Sequence, residues 1–588
     1  MGLQLPSRPP STRSAASAIP GDSPTRDGTI GATPSDSPTC DGTISATPSN
    51  SLACDSARLS CDKRGRTSDL GPAGVRTGPN LAAGRLSRRG LLALAGATGT
   101  AAFTGCGRPA DGPGTGSLLT SALALPERFR TPLPIPPVAK PLLRNSAGDH
   151  ITLTQRVADA HLLPGHTTRI WGYDGIFPGP TLRARRGRPL TVTIRNELPV
   201  PTSTHLHGGV TPPDSDGFPL DLTIPAGYSP APPHMHGAGA RVHEVSRDYR
   251  YPMEQRAATL WYHDHRMDFT GPQVWRGLAG MMIVSDDEED ALPLPRGERD
   301  LPLLICDRAF EADGSLRYPM RDMSMESPGA RGAFESGLFG DVILVNGAAW
   351  PRHEVAAVRY RLRLVNGSNA RRYRLSLTPA AELVQIGSDD GLLAAPVSHQ
   401  GIILSPGERC DMVVDFSAFP VGSEVTLVNT FGTGVTRDVM RFAVTRTAED
   451  DTRIPARLAD LPVLTKADAV ETRQFDFRFS GSRWTINSQS YDPAGSLAAP
   501  RLGTVELWRF TSDFHHPVHV HLGHFQVLSR SGRDPEPWES GWKDTVDVRP
   551  YEAVEVLVKF EGHRGRFMLH CHNLEHEDMA MMANFDVV

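Results

Sequence analysis

The sequence predicts an all-β protein built from three consecutive Greek-key β-sandwich domains, and three observations support this class. From about residue 131 onward, short alternating apolar stretches are separated by turns rich in Gly, Pro, Asn and Asp, and long helical periodicity is absent. Gly (56) and Pro (51) are both enriched, as expected of a chain with many turns. One β pattern also recurs three times, which is typical of sandwiches in series.

The three copies of the pattern lead into different loops. The first, "GIFPGPTLRARRGRPLTVTIRNELP", leads to His205, and the third, which begins "WTINSQSYDP", leads to His516, His519 and His521. The second, which begins "ILVNGAAWPR", leads to "ARRYRLSL" and has no histidine pair. We therefore expect a middle domain that acts as a spacer and shapes the substrate side of a site formed by its two neighbours.

The repeats also suggest domain boundaries. Two stretches have the composition of linkers: the acidic run "SDDEEDALPLPRGERD" near 285–300 and the stretch around 446–470. The sequence accordingly predicts domains at residues 130–290, 300–447 and 465–588.

Bulk composition excludes some function classes. The chain of 588 residues is long enough for three domains. Its net charge of −5 and its pI near 6.5 provide no broad basic surface, so we expect no nucleic-acid partner. Cysteine is scarce, which argues against a disulfide framework. Cys306 and Cys410 lie in apolar runs and are interpreted as buried strand cysteines, although a disulfide between them stays open.

The N-terminal segment indicates export. Residues 1–86 are rich in Ser, Thr, Pro, Gly and Asp, which is typical of a disordered leader. Residues 87–106 begin "SRRGLL", continue as a short apolar run and end at Cys106. This stretch resembles a twin-arginine signal with a lipobox-like end. We expect a secreted protein or one anchored by a lipid on Cys106, and a true start near Val75, with the leader untranslated.

Eight histidines form four His-X-His pairs along the chain. Residues i and i+2 of a strand project from the same face, so each pair offers two imidazoles to one side. Four such arms can converge on three metals that take two, three and three nitrogens. The pairs are His205/His207, His263/His265, His519/His521 and His570/His572.

The same alternation predicts a second site behind this cluster. Cys571 lies between His570 and His572 and must face the opposite way. His516 precedes His519 by three residues, an odd offset, and so also faces away from the cluster. A thiolate and imidazoles make a blue-copper electron-transfer site. The pattern therefore predicts a copper oxidase.

Four stretches in this order, "HLHGG", "WYHDH", "HPVHVHLGHF" and "HCHNLEHEDMAMM", resemble the multicopper oxidase family. The resemblance covers about residues 130–588 and is closest to the branch of bacterial spore-coat laccase, bilirubin oxidase and phenoxazinone synthase. It implies three cupredoxin-like domains and four coppers per chain: one type 1, one type 2 and two type 3.

The resemblance also implies a ligand set. Type 2 copper would take His205 and His519. One type 3 copper would take His207, His263 and His572, and the other His265, His521 and His570. Type 1 copper would take Cys571, His516, His576 and, as a weak axial ligand, Met581. Met579 and Met582 compete for the axial role, and core packing is the alternative interpretation of each.

By the same resemblance, Asp216 and Glu577 lie near the cluster and supply protons as oxygen is reduced. A general acid needs a carboxyl group of suitable pKa close to the acceptor. The alternative is that either residue only stabilises a turn or orients a ligand.

The expected activity couples four one-electron oxidations of phenols or aromatic amines to reduction of O2 to two waters. Electrons would enter near His576 and pass through Cys571 to the cluster, and we expect a monomer. The nearest alternative is an oxidase for Cu(I) or Fe(II), which a methionine-rich pocket such as Met320, Met323 and Met325 would favour. A copper-binding protein without turnover and a copper nitrite reductase are further alternatives.

Overall fold

The structure is a computed structural model that describes residues 112–228, 241–325 and 327–588. The segments predicted to form a leader and a twin-arginine signal, together with Cys106 and Val75, lie outside these residues. Within them the chain is almost entirely β, as predicted, and its strands form three successive pairs of sheets. None of the helices in the described ranges is long and apolar enough to cross a membrane.

The first sandwich pairs a five-stranded sheet, ordered β10-β6-β3-β2 with β4 beside β3, with a four-stranded sheet, β5-β12-β11-β7. Its strands alternate as a half-buried sheet requires: Leu190, Val192 and Ile194 of β6 are buried and their neighbours are not. The elements in this part are β1 (Ser117–Leu119), β2 (Leu143–Asn145), β3 (Gly148–Ala160), β4 (Thr168–Tyr173), β5 (Gly179–Arg185), β6 (Leu190–Asn196), β7 (Thr204–His207), β8 (Asp221–Ile224), β9 (Arg241–Glu244), β10 (Ser246–Tyr251), β11 (Ala258–Asp264), α1 (Thr270–Arg276), β12 (Ala279–Ser285) and α2 (Asp287–Asp290).

The second sandwich pairs a seven-stranded sheet, β16-β15-β13-β18-β23-β20-β21, with a five-stranded sheet, β17-β25-β24-β19-β22, and β14 pairs in parallel with β1. Cys306 and Cys410 are buried and free, so no disulfide joins them. The strands are β13 (Asp300–Arg308), β14 (Leu338–Gly340), β15 (Val342–Val345), β16 (Ala348–Ala349), β17 (Arg352–Ala356), β18 (Arg359–Asn366), β19 (Tyr373–Thr378), β20 (Leu383–Ser388), β21 (Gly391–His399), β22 (Ile402–Leu404), β23 (Arg409–Asp415), β24 (Glu424–Asn429) and β25 (Asp438–Arg446).

The third sandwich pairs a five-stranded sheet, β27-β26-β28-β32-β30, with a four-stranded sheet, β31-β29-β33-β34. The second sheet is wholly buried at β29, which suits a strand that carries metal ligands on both faces. The elements are β26 (Ala469–Ser480), β27 (Arg483–Ile486), β28 (Val505–Ser512), β29 (His516–Val520), β30 (His524–Arg530), β31 (Thr545–Val548), β32 (Ala553–Lys559), β33 (Gly565–Cys571), α3 (Leu574–Glu577) and β34 (Met582–Val587).

Short 3₁₀ turns complete the secondary structure, at Gly297–Arg299, Gly332–Ser336, Phe416–Ala418, Gly434–Thr436, Lys466–Asp468 and Pro537–Glu539. The all-β class is confirmed. The exact domain boundaries stay predictions. The acidic run near 285–300, expected to be a linker, includes the short helix α2 and buries Glu289.

Candidate metal centre

The four His-X-His arms lie on two pairs of neighbouring strands. In the first sandwich β7 pairs antiparallel with β11, and this register sets His205 opposite His263. In the third, β29 pairs antiparallel with β33, and His519 lies opposite His570. Each sheet thus presents a small patch of imidazoles, and the two patches face each other.

The facing patches bring ring nitrogens from both sandwiches into contact. Nε2 of His205 lies 3.4 Å from Nε2 of His519, and Nε2 of His265 lies 3.3 Å from Nε2 of His570. Nε2 of His521 is 3.2 Å from the same His570 atom. Three groups of donor atoms lie within 4.8 Å of one another: His205 with His207 and His519; His207 with His263 and His572; and His265 with His521 and His570.

These imidazoles have the chemistry that copper requires. All eight are buried, and burial lowers the pKa of His263 to about 3 and that of His265 to about 4, so these two rings are neutral bases near neutral pH. Among the described residues, several of their buried nitrogens have no hydrogen-bond partner, including Nε2 of His263 and both nitrogens of His572. Buried polar atoms of this kind need a partner, and a metal provides one.

A second donor group lies behind the cluster, on the side that strand alternation predicts. Sγ of Cys571 is 3.3 Å from Nδ1 of His516 and 3.5 Å from Nδ1 of His576, and the two nitrogens are 3.2 Å apart. Burial raises the pKa of the Cys571 thiol well above its usual value, so a thiolate there needs a cation beside it. The donor set fits a blue-copper site.

Of the three candidate axial methionines, Met581 is tied most closely to this group. It is wholly buried, its backbone N–H donates to the carbonyl of His576, and its carbonyl accepts from the N–H of Cys571. Met579 is only partly buried, against the hydrophobic core of the third sandwich. Met582 lies on β34 opposite His570 and therefore on the side of the cluster.

The two predicted carboxylates both touch cluster imidazoles. Oδ2 of Asp216 accepts a hydrogen bond of 2.7 Å from Nδ1 of His521, and the Asp216 carbonyl accepts one of 2.5 Å from Nδ1 of His205. The Glu577 carboxylate lies 3.2 Å from Nδ1 of His570 and 3.4 Å from Nδ1 of His265.

Their protonation tendencies differ. Burial raises the pKa of Asp216 to about 8. Burial also acts to raise the pKa of Glu577, but the neighbouring His265 and His570 outweigh it and hold that pKa below its usual range. The site therefore contains one carboxyl group inclined to hold a proton and one inclined to release it.

Sequence reasoning missed two further carboxylates that orient ligands. Oδ1 of Asp544 lies 3.0 Å from Nε2 of His207, which leaves Nδ1 of that ring to face the cluster, and the Asp544 carbonyl accepts from Nδ1 of His519. Asp513 lies 3.3 Å from Nε2 of His516. Such partners fix the orientation of metal-binding imidazoles. Asp544 lies on the loop before β31, and only the pairing of β31 with β29 brings it to the cluster.

The structure also closes the side from which electrons were expected to enter. His576 is wholly buried, and its Nε2 donates a hydrogen bond of 3.1 Å to the carbonyl of Ser336, from the second sandwich. The indole of Trp484 stacks on the ring with centroids 3.6 Å apart. Met320 and Met325 pack with Phe269 in a small core, whereas Met323 is exposed.

Comparison with known proteins agrees with this architecture. The chain is 35% identical over 524 residues to a laccase from Bacillus subtilis, an alignment that spans 78% of this chain and 98% of the relative. This chain belongs to the multicopper oxidase family. Sequence profiles of multicopper oxidases match residues 457–588 and, in two segments, residues 156–231 and 242–289.

Other members of the multicopper oxidase family show the same extent of similarity. A bilirubin oxidase from Albifimbria verrucaria is 33% identical, with 81% of this chain and 85% of that protein covered. The crystal structure of a laccase from Pediococcus acidilactici superposes with a TM-score of 0.70 at 30% identity, covering 80% of this chain and 96% of that one. The predicted family, the three cupredoxin-like domains and the copper cofactor are thereby confirmed.

Proposed function

We propose that this multicopper oxidase is laccase-like. Four molecules of a phenol or aromatic amine each lose one electron, and one O2 takes up four electrons and four protons to give two waters. The observation that carries the proposal is the position of Cys571. Its sulfur belongs to the blue-copper group, while its chain neighbours His570 and His572 belong to the cluster.

In the proposed assignment, the sulfur site consists of Cys571, His516 and His576 with Met581 as axial ligand. Copper bound in these groups supplies one-electron redox chemistry on the sulfur side and oxygen binding on the cluster side. The type 2 group consists of His205 and His519. The two type 3 groups are His207 with His263 and His572, and His265 with His521 and His570.

The residues around the cluster have roles of their own. Asp544 holds the tautomer of His207, Asp216 accepts the Nδ1 proton of His521, and the Glu577 carboxylate lies beside Nδ1 of His570. We assign proton delivery during oxygen reduction to Asp216 and Glu577, because both carboxylates are fully buried beside the cluster.

The deciding experiment measures copper content, visible spectrum and oxygen uptake of the purified protein. We expect four coppers per chain, an intense blue thiolate band, and one O2 consumed for every four electrons donated by a simple phenol. A colourless holoprotein, or one that carries copper and never consumes O2, contradicts the proposal.

A metal-ion oxidase gains little support from the described residues. The methionines that favoured it divide between a buried packing role for Met320 and Met325 and an exposed position for Met323. Relative turnover of Cu(I) and a phenol by the same preparation distinguishes the two functions.

We also propose that the protein is exported by the twin-arginine route and acts as a monomer outside the cytoplasm. Export of an already folded chain suits a cluster that forms only when two domains have docked. The intact mass of the precursor and of the mature protein tests the start near Val75 and a lipid on Cys106.

A further inference from the structure

The sulfur site has no direct opening to solvent at His576, the ligand near which electrons were expected to enter. His576 is 0% exposed, and its outward nitrogen is already engaged by the Ser336 carbonyl. Ser336 ends the 3₁₀ turn Gly332–Ser336 of the second sandwich. An organic donor therefore cannot touch the His576 imidazole directly.

One residue occupies the space beside both histidines of this site. The Trp484 indole stacks on His576 at 3.6 Å between centroids with the planes 25° apart, and it meets His516 edge-on at 5.7 Å. Trp484 is itself only 4% exposed. A single π-system thus contacts both imidazoles of the sulfur site and separates them from the surface.

On its outer side Trp484 contacts two exposed rings. Phe479 lies 4.8 Å away and Phe514 5.7 Å away, and these side chains are 45% and 38% exposed. Both rings thus flank the same buried indole, and exposed apolar surface gathered at one place often marks a binding site. We call Phe479 and Phe514 the aromatic platform.

The local backbone fixes this arrangement. Strands β26 and β27 form a hairpin whose two turn residues, Gly481 and Ser482, have φ values of 58° and 66°. Positive φ at both central positions is the type I′ geometry that matches the twist of paired strands. The resulting register sets Phe479 directly opposite Trp484. Asp513 accepts from the N–H of Phe479 and also contacts His516, which ties the platform to the metal site.

We propose that the aromatic platform is where the organic donor binds and that Trp484 is the bridge through which its electron reaches the sulfur site. This inference rests on the proposed laccase-like function. A planar aromatic donor stacks on Phe479 and Phe514, in the offset or edge-on geometries that aromatic rings favour. It loses one electron, a phenol releases its proton to solvent, and the electron crosses the indole to His576. The indole is not consumed, and Cys571, His516 and His576 would hold the copper that serves as the one-electron oxidant of the donor.

The same arrangement would make the enzyme prefer aromatic donors over hydrophilic ones. Electron tunnelling weakens steeply with distance, so a donor that stacks on the platform is favoured over one that only collides with the surface. Hydrophilic one-electron donors such as hexacyanoferrate(II) gain nothing from the aromatic rings. The structure thus assigns selection for aromatic donors to Phe479 and Phe514 and rapid transfer to Trp484.

The test uses the copper-loaded enzyme and two donors, 2,6-dimethoxyphenol and hexacyanoferrate(II). Bleaching of the blue band is followed without oxygen in a stopped-flow instrument, and KM and kcat are measured separately in air. The double variant Phe479→Ser/Phe514→Ser should raise KM for the phenol about tenfold, the loss of roughly one strong aromatic contact, and leave hexacyanoferrate(II) unaffected.

Variants of the bridge test the route. Trp484→Leu should slow bleaching by bound phenol, and Trp484→Phe should recover part of the rate, with the paramagnetic resonance spectrum of the sulfur site showing that copper is retained. The matched control is Trp538→Leu, which removes a partly buried tryptophan of the same domain that packs near His399. This variant should change neither the rate at which bound phenol bleaches the blue band nor the resonance spectrum of the sulfur site.

Donor binding at the aromatic platform and electron transfer through Trp484 can fail independently. Unchanged KM for the phenol in the platform variant overturns the binding site, even if Trp484→Leu fails to fold. Unchanged bleaching in Trp484→Leu with an intact resonance spectrum overturns the route. If the unaltered enzyme consumes no oxygen with hexacyanoferrate(II) or the phenol, the proposed function itself fails.

Discussion

Asp216 of the first domain accepts a 2.7 Å hydrogen bond from Nδ1 of His521 of the third. The contact fixes the ring so that Nε2 faces the cluster, 3.2 Å from Nε2 of His570. A carboxylate from one domain thus orients a ligand from the other.

Asp216→Asn keeps an oxygen that can accept from His521 but removes the acidic group. We expect normal copper content and an unchanged blue band, with oxygen reduction slowed about 10–100-fold, the usual cost of altering a partner of a metal-bound histidine. Copper analysis and an oxygen electrode measure this. The control, Asp214→Asn, alters an exposed carboxylate of the same loop and should have no effect. A rate equal to the unaltered enzyme removes Asp216 from oxygen reduction.

Cys571→Ser should abolish the blue band and the oxidation of every donor, because serine provides no thiolate. Copper content should fall from four to three per chain, since the cluster imidazoles remain. Absorption spectra and copper analysis check this. Cys410→Ser is the matched control: that cysteine is also buried and free, but in the second domain, and its loss should leave the colour intact. Persistent blue colour in Cys571→Ser would exclude the ligand assignment.

Met581→Leu should retain the blue band and raise the reduction potential of the sulfur site, because the axial ligand tunes this potential and a leucine offers no sulfur. A redox titration followed at the blue band measures the shift. Met582→Leu serves as control, because Met582 lies opposite His570 on the cluster side and should not change the potential. If Met582→Leu or Met579→Leu shifts the potential and Met581→Leu does not, the axial assignment is wrong.

Protonation of the buried Glu289 carboxylate should make the free energy of unfolding depend on pH. Its carboxylate bonds Nη1 of Arg361 at 2.6 Å and Nη2 of Arg363 at 2.8 Å. Burial acts to raise its pKa, but the two guanidinium groups outweigh burial and lower the pKa to about 2 from the ordinary 4.5. A depressed pKa stabilises the fold fully above the unfolded value, so this contribution is lost as pH falls from about 4.5 toward 2.

Glu289→Gln should therefore lower the free energy of unfolding at neutral pH by about 3–5 kcal/mol, since two buried arginines lose a partner. Its stability should also change less than that of the unaltered protein between pH 4.5 and 2. Denaturant titrations across this range measure both. Glu288→Gln, at the exposed neighbour, should cost no more than about 1 kcal/mol. Equal stability of the two variants would contradict the buried ion pair.

Local periodicity predicted much of the fold and of the donor geometry. Alternation along a strand depends only on neighbouring residues, so the opposite facing of Cys571 and His570 could be inferred before any strand was placed. The β class was predicted from the same pattern. The domain boundaries also came from the sequence and stay predictions. The pattern did not reveal that the acidic run at 285–300 contributes Glu289 to a buried ion pair, because only the docked β18 supplies Arg361 and Arg363.

Contacts made by distant strands explain what was missed. Trp484 opens the third copy of the repeat, and its spacing carries no sign that it stacks on His576, 92 residues later in the chain. Asp544 reaches His207 across 337 positions. The group of Ser336 that covers the sulfur site is its backbone carbonyl. Every residue has such a carbonyl, so the sequence gives no sign of this contact.

Every donor group of the cluster draws on residues 205–265 and on residues 519–572 together. A nascent chain still on the ribosome, short of its third domain, has no complete cation cage to fill. Copper insertion into the cluster must therefore wait until residues 519–572 have been synthesised and have docked, and any factor that delivers the metal would meet a chain that already contains both segments.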